Sequence, residues 1–257
     1  MIISPQDLSG FLKNSETLVV DTRAFGEYSN GHIPGAVNLD LFAFHWNDTS
    51  NEGLRSFENQ CKQLFSFIGI TPSKKVIFYD NVSGMLASRG VWLLNLFSHK
   101  EVFLLDGGFN QWKNLGLEIE RKTIPNSPSK FDGILDYSLL ASYDYIEKNL
   151  EKIKLIDARS KEEYDGSTVR AARGGHIPTS SNIDWNLNLT NDGKLKSIPE
   201  LKSLYEFDME SEIVTYCQGA YRAANTFIVL KLLGYSKVRV YLGSWGEWGN
   251  KLELPVS

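Results

Sequence analysis

Cysteine is nearly absent from this chain: 257 residues hold two, Cys61 and Cys217. Two are too few for a disulfide framework in a protein of this size, so a reducing cytoplasm is the expected setting. Histidine is scarce as well, at four residues, and His32, His45, His99 and His176 show no spacing with cysteine that would build a zinc site, so no structural metal is expected. Nowhere do about 18 uncharged apolar residues run together, and the start has no basic segment followed by an apolar one. Neither a membrane span nor an export signal is expected. The net charge is −4, with lysine and arginine scattered and no basic stripe, which argues against nucleic acid as a partner.

What is present is apolar content, 42% overall with 12% aromatic, enough for substantial cores in one large domain or two ordinary ones. An internal repeat decides for two. "LVVDTRAFGEYSNGHIPGAVNLD" (Leu18 to Asp40) returns as "LIDARSKEEYDGSTVRAARGGHIPTSSNID" (Leu155 to Asp184), sharing Asp-x-Arg, Glu-Tyr, Gly-His-Ile-Pro and Asn-x-Asp. "VIFYDNVSGMLASRGVWLLNLF…VFLLDGGFNQW" returns as "IVTYCQGAYRAANTFIVLKLLGY…VRVYLGSWGEW", and Gly107 and Gly243 stand as far apart as Asp21 and Asp157 do.

In each copy short apolar strands alternate with helical stretches, predicted around Phe57 to Ile68 and Met85 to Phe97 in the first. Such alternation gives crossover connections and a mainly parallel sheet with helices on both faces, an α/β fold. "KTIPNSPSKFDG" has two prolines, two serines and no apolar periodicity, which reads as a linker. The expected division is a domain at 1–121, a linker at 122–133 and a second domain at 134–257. The repeat supplies its own domain pair, so a monomer is workable.

Aligning the copies sets Asp80 against Cys217. In both, a strand ends, a loop containing Gly84 or Gly219 follows, and a helix begins. Such a loop can aim successive backbone N–H groups at one point, backed by the positive end of the helix dipole. A sulfur at that focus, with Arg222 nearby, would be favoured as the thiolate and act as a nucleophile. Asp80, a carboxylate at a helix entrance, reads as a cap. Cys61 falls with Phe57, Leu64, Phe65 and Ile68 on one helical stripe and reads as a small buried hydrophobe.

The duplicated Asp-x-Arg and "GHIP" segments, the "GGFNQW" and "GSWGEW" segments, and the Cys217 loop followed by "LLGY" together resemble the tandem rhodanese-like sulfurtransferases over nearly the whole chain. The resemblance implies two rhodanese-like domains, the first without the cysteine and the second carrying sulfur as a Cys217 persulfide. It also resembles the fold of the cell-division-cycle phosphatases, whose loop is Cys-x5-Arg. Here Arg222 closes Cys-x4-Arg, one residue short of that pattern, which favours sulfur over phosphate.

The chemistry then expected is covalent and two-step, with a small anionic sulfur donor and with cyanide, a small thiol or a protein thiol as acceptor. The amides of Gln218, Gly219, Ala220, Tyr221 and Arg222 would hold the thiolate and the persulfide without metal or organic cofactor. Thiosulfate is the first choice of donor, with 3-mercaptopyruvate or a role as persulfide carrier as alternatives. Members using mercaptopyruvate have a loop close to Cys-Gly-Ser-Gly and an arginine where this chain has Glu163. Arg170 and Arg173, in the insertion "DGSTVRAARG", read either as ligands of a sulfonate oxygen or as solvated loop charges. Asp21, Arg23, Asp157, Arg159, His32 and His176 occur in both copies, with and without the cysteine, and read as structural. Trp112 and Trp248 read as core anchors, while Trp185 and Trp245 occur in the second copy alone.

Overall fold

The computed structural model describes residues 1–257 and divides into two compact units. The first comprises Met1–His45, Ser56–Leu135 and Leu189–Leu195, the second Trp46–Arg55, Asp136–Asn188 and Lys196–Ser257. Trp46–Arg55 and Leu189–Leu195 are thus segments that each unit draws from the other's stretch of sequence. Short polar anchors explain the exchanged segments. In the second unit the Thr49 amide and hydroxyl both donate to Glu247, at 2.8 and 2.6 Å. In the first, Ser83 N–H donates to the Gly193 carbonyl at 2.8 Å and Leu195 N–H to Asp106 at 3.0 Å. Residues 122–133 lie against the first unit: Phe131 packs edge-on against Phe65 and Phe97, and its amide donates to Ser66 Oγ at 2.9 Å.

The first unit's strands are β1 (Ile2–Ile3), β2 (Thr17–Asp21), β3 (Val37–Asn38), β4 (Lys75–Tyr79) and β5 (Val102–Leu105), ordered β1-β5-β4-β2-β3. The second unit repeats that order with β6 (Leu140–Ala141), β7 (Lys154–Asp157), β8 (Ser181–Asn182), β9 (Ile213–Tyr216) and β10 (Val238–Tyr241), as β6-β10-β9-β7-β8. Every pairing is parallel. A parallel sheet is covered on both faces, which is why Val76–Tyr79 and Ile213–Tyr216 are buried without alternation.

The covering helices are α1 (Pro5–Phe11), α2 (Phe25–Asn30), α3 (Asn51–Phe67), α4 (Met85–Asn95) and α5 (Gly108–Asn114), then α6 (Tyr143–Asn149), α7 (Lys161–Tyr164), α8 (Ile198–Lys202), α9 (Tyr221–Leu232) and α10 (Ser244–Trp248). Cys61, on α3, is 2% exposed, and burial pushes its thiol up to about 12. It stays protonated and inert.

The duplicated motifs are braces. Arg23 is bidentate to Asp21 and donates to the Gly31 carbonyl at 2.8 Å. Arg159 does the same with Asp157 and Gly175. Each "GHIP" histidine stacks on a tyrosine, His32 on Tyr28 and His176 on Tyr164, with ring centres 3.9 and 3.7 Å apart. A buried ion pair that also satisfies a carbonyl fixes the turn after β2 or β7 and, through it, the rim of the sheet.

Candidate active site

Cys217 is the first residue after β9 and is 1% exposed. Only four residues, Cys217–Ala220, separate β9 from α9, whereas five, Asp80–Gly84, separate β4 from α4. The shorter loop is drawn tight by Ser244. Its Oγ accepts from the amides of Cys217 (3.2 Å) and Ala220 (3.0 Å) and donates to the Tyr241 carbonyl at 2.8 Å. Both Ala220 and Ser244 sit in the left-handed region, at φ 65° and 53°, a costly conformation for residues with a side chain. The corresponding residue in the first unit is Gly108, also at positive φ. A Cβ there would lie 2.5 Å from the carbonyls of Asp80 and Val82, so the longer loop excludes the serine that ties the shorter one.

α9 begins at Tyr221, so Arg222 stands in its first turn. The guanidinium feels the charge of the nearby Cys217 sulfur. It is fixed from the other side by Glu163, with Nη1 to Oε2 at 2.5 Å and Nη2 to Oε1 at 3.0 Å. Burial opposes the arginine's charge, but Glu163 and the sulfur outweigh it and hold the proton more firmly than usual. For Glu163 burial pushes the carboxyl up, while Arg222, Ser160 and Arg170 pull it below the ordinary carboxylate value. Glu163 is thus ionised, and Cys217 faces an arginine whose charge is already balanced.

Glu163 also closes a capping box with Ser160 at the start of α7. "SKEE" carries that signature in the sequence, but nothing local reveals that the same carboxylate reaches Arg222. Its importance lay outside what spacing could show.

Of the predicted ligand residues, the loop Cys217–Arg222 and Arg170 converge. Gln218 Nε2 donates to the Arg170 carbonyl at 3.0 Å, and Arg170 Nε lies 3.6 Å from Glu163 with its side chain 60% exposed. Not every amide of the loop points inward, because the Ala220 N–H is spent on Ser244. Arg173 is drawn elsewhere. Its guanidinium donates to the carbonyls of Lys251 (2.6 Å), Leu254 (2.8 Å) and Trp248 (3.1 Å), clamping the segment after α10. Replacing Arg173 with alanine should therefore lower stability by about 1–3 kcal/mol and leave the donor's KM within about twofold; chemical denaturation and initial rates check the two parts. Trp245 is a core residue, 1% exposed, lying 4.6 Å from the Arg159 guanidinium carbon.

In the first unit Asp80 occupies the sulfur's place. Its carboxylate accepts from the amides of Val82 (3.0 Å), Leu86 (3.0 Å) and Ala87 (3.2 Å). Burial raises its carboxyl to about 6, with those amides opposing. Because the folded value lies above the unfolded one, the folded protein binds the proton first as pH falls. Wild type should therefore gain about 1 kcal/mol over Asp80→Asn between pH 7.5 and pH 5, read from urea midpoints.

Two parallel sheets in the same strand order, each with an Asp-x-Arg brace and a strand-to-helix loop at the rim, place the chain in a class. It belongs to the rhodanese-like domain family, whose model matches residues 4–115 and again 142–251. The chain is 34% identical to a thiosulfate sulfurtransferase of Azotobacter vinelandii, covering 100% of this chain and 96% of the relative. It is 32% identical to the sulfur carrier protein TtuD of Thermus thermophilus, covering 90% and 86%. Among solved structures, the anaerobic ergothioneine biosynthesis enzyme from Chlorobium limicola shares the fold, with TM-score 0.88 and 22% identity over 100% of this chain and 69% of that one. No helix is long and apolar enough to cross a membrane.

Proposed function

We propose that this protein transfers sulfane sulfur from a small anionic donor, thiosulfate first, through a persulfide on Cys217. The observation that carries the reading is the Cys217 sulfur at the start of α9 beside Arg222, a cation held in place by Glu163. The names of the relatives in Azotobacter vinelandii and Pseudomonas aeruginosa, both thiosulfate sulfurtransferases, support it.

In the first step the thiolate attacks the outer sulfur of thiosulfate. A new S–S bond forms to Cys217, the bond to the sulfonate sulfur breaks, and sulfite leaves with the electron pair. In the second, cyanide or a thiolate attacks the outer sulfur of Cys–S–S⁻ and expels the Cys217 thiolate. Neither step requires a general base once the thiolate exists, and ping-pong kinetics follow. Arg222 and the inward-facing loop amides stabilise anionic sulfur in every state, an electrostatic contribution set up before the reaction begins. Arg170, mostly exposed and near the loop, supplies the positive charge for the donor's sulfonate.

A second reading has its own support in the likeness to a sulfur carrier protein: the persulfide is passed to a protein thiol. Incubation with thiosulfate followed by intact mass measurement should show one added sulfur atom. No gain with thiosulfate, mercaptopyruvate or a persulfide donor overturns both readings. A gain discharged slowly by cyanide but quickly and saturably by one protein acceptor selects the carrier.

A further inference from the structure

We propose that the first unit, which has no cysteine in its loop, carries a binding pocket for a small oxyanion or carboxylate at the carboxyl edge of its sheet. The proposal does not rest on the sulfur-transfer reading. A cavity of about 320 Å³ opens there, walled by Arg23, Gly31, Asn81, Phe109, Lys113 and Arg121, with Glu27 also on its lining.

Its position follows from the topology. From β2 the chain moves outward to β3, and from β4 it moves the other way to β5, so the strand order reverses between β2 and β4. Crevices at such reversals, at the carboxyl ends of parallel strands, are where open α/β sheets bind ligands. Arg23 follows β2 and Asn81 follows β4, as Arg159 follows β7 and Gln218 follows β9. The pocket is thus the first unit's counterpart of the region around Cys217, with Asp80 filling the sulfur's own place.

The electrostatics specify the occupant. Arg23 is 4% exposed. Its Nε and Nη2 are spent on Asp21 and the Gly31 carbonyl, but Nη1 has only a long 3.4 Å contact to Asn81 Oδ1. One face of a buried guanidinium is therefore poorly used. Lys113 brings a second cation to the same aromatic ring: Arg23 Cζ lies 4.1 Å and Lys113 Nζ 5.2 Å from the centre of Phe109. Neither Lys113 nor Arg121 has a carboxylate within 4.0 Å. Glu27, the single acid on the lining, accepts from Asn81 Nδ2 at 2.7 Å. Three cations against one acid, with Asp21 committed to one of the three, leave positive charge that no other group on the lining compensates. A small anion compensates it, and the arginine's weakly bonded Nη1 gives directed hydrogen bonds to oxygen.

Selenate, an oxyanion located by its anomalous scattering, tests this in the full-length Cys217→Ser protein, where turnover is blocked. Crystals soaked with it should show a peak beside Arg23 and Lys113. Calorimetric titration with sulfate should lose one saturable site, or weaken it at least tenfold, in Lys113→Glu/Arg121→Glu. Both changes lie on exposed side chains. In the presence of Cys217 the double variant should keep thiosulfate turnover within about twofold. A crystal without the peak, or titrations that the double variant leaves unchanged, overturns the proposal whether or not the protein transfers sulfur.

Discussion

Replacing Cys217 with serine should lower sulfur transfer by at least roughly three orders of magnitude, the usual result of deleting a covalent nucleophile. The mass gain with thiosulfate should vanish with it. The fold should survive, because serine is nearly isosteric and Arg222 stands near the new hydroxyl as it does the sulfur. The first unit makes the case independently: the same strand-to-helix junction is built there around Asp80, with no thiol, and it folds. A Cys217→Ser protein that still acquired sulfur, or still turned over at more than a few per cent, would move the chemistry elsewhere.

The second large effect is expected at Arg222. Exchanging it for methionine leaves Glu163, whose side chain is 4% exposed, as a buried charge with only the mostly exposed Arg170, 3.6 Å away, to face it. Breaking such a pair costs about 3–5 kcal/mol. Sulfur transfer should fall as well, by roughly a hundredfold, because the cation facing anionic sulfur is gone. The two losses can be separated. Glu163→Gln/Arg222→Met removes both charges and should recover most of the stability, while activity stays low; denaturation midpoints and single-turnover sulfur uptake read the two independently. Recovery of activity in the double variant would reduce Arg222 to a structural role.

The pH dependence carries a sign that can also be checked. Glu163 is held below its ordinary value of 4.5, so the stability of the pair is fully present above that value and is lost as pH falls through the lower folded one. An acid limb in turnover above pH 5 therefore belongs to another group.

Much of this arrangement was legible in one dimension. β2, β4 and β5 read as strands because sheets covered on both faces demand continuous apolar runs, and Cys217 stood out because the repeat offered Asp80 for comparison. What escaped were contacts made across distance. Glu163 and Arg222 are 59 positions apart, and Ser244 ties the amide of a residue 27 positions earlier. Arg173 was read from its neighbours in the insertion, yet its partners lie 75 to 81 residues on. Spacing records which side chains share a strand or helix face, and carries no sign of which carbonyls a folded segment brings around a guanidinium. Likewise, the segment 122–133 showed no periodicity because one aromatic, Phe131, and hydrogen bonds from Ile124 and Ser129 hold it, not a repeating apolar face.

Asp80 has one further consequence. Its carboxylate is a ligand tethered to its own receptor, two residues from the first amide it occupies and seven from the last. A group joined by so short a stretch of chain competes at an effective concentration that a millimolar solute does not match. Dissolved anions are therefore shut out of the first unit's amide ring by mass action. Cys217, at the corresponding junction of the second unit, carries a thiol where the first unit carries that tethered carboxylate.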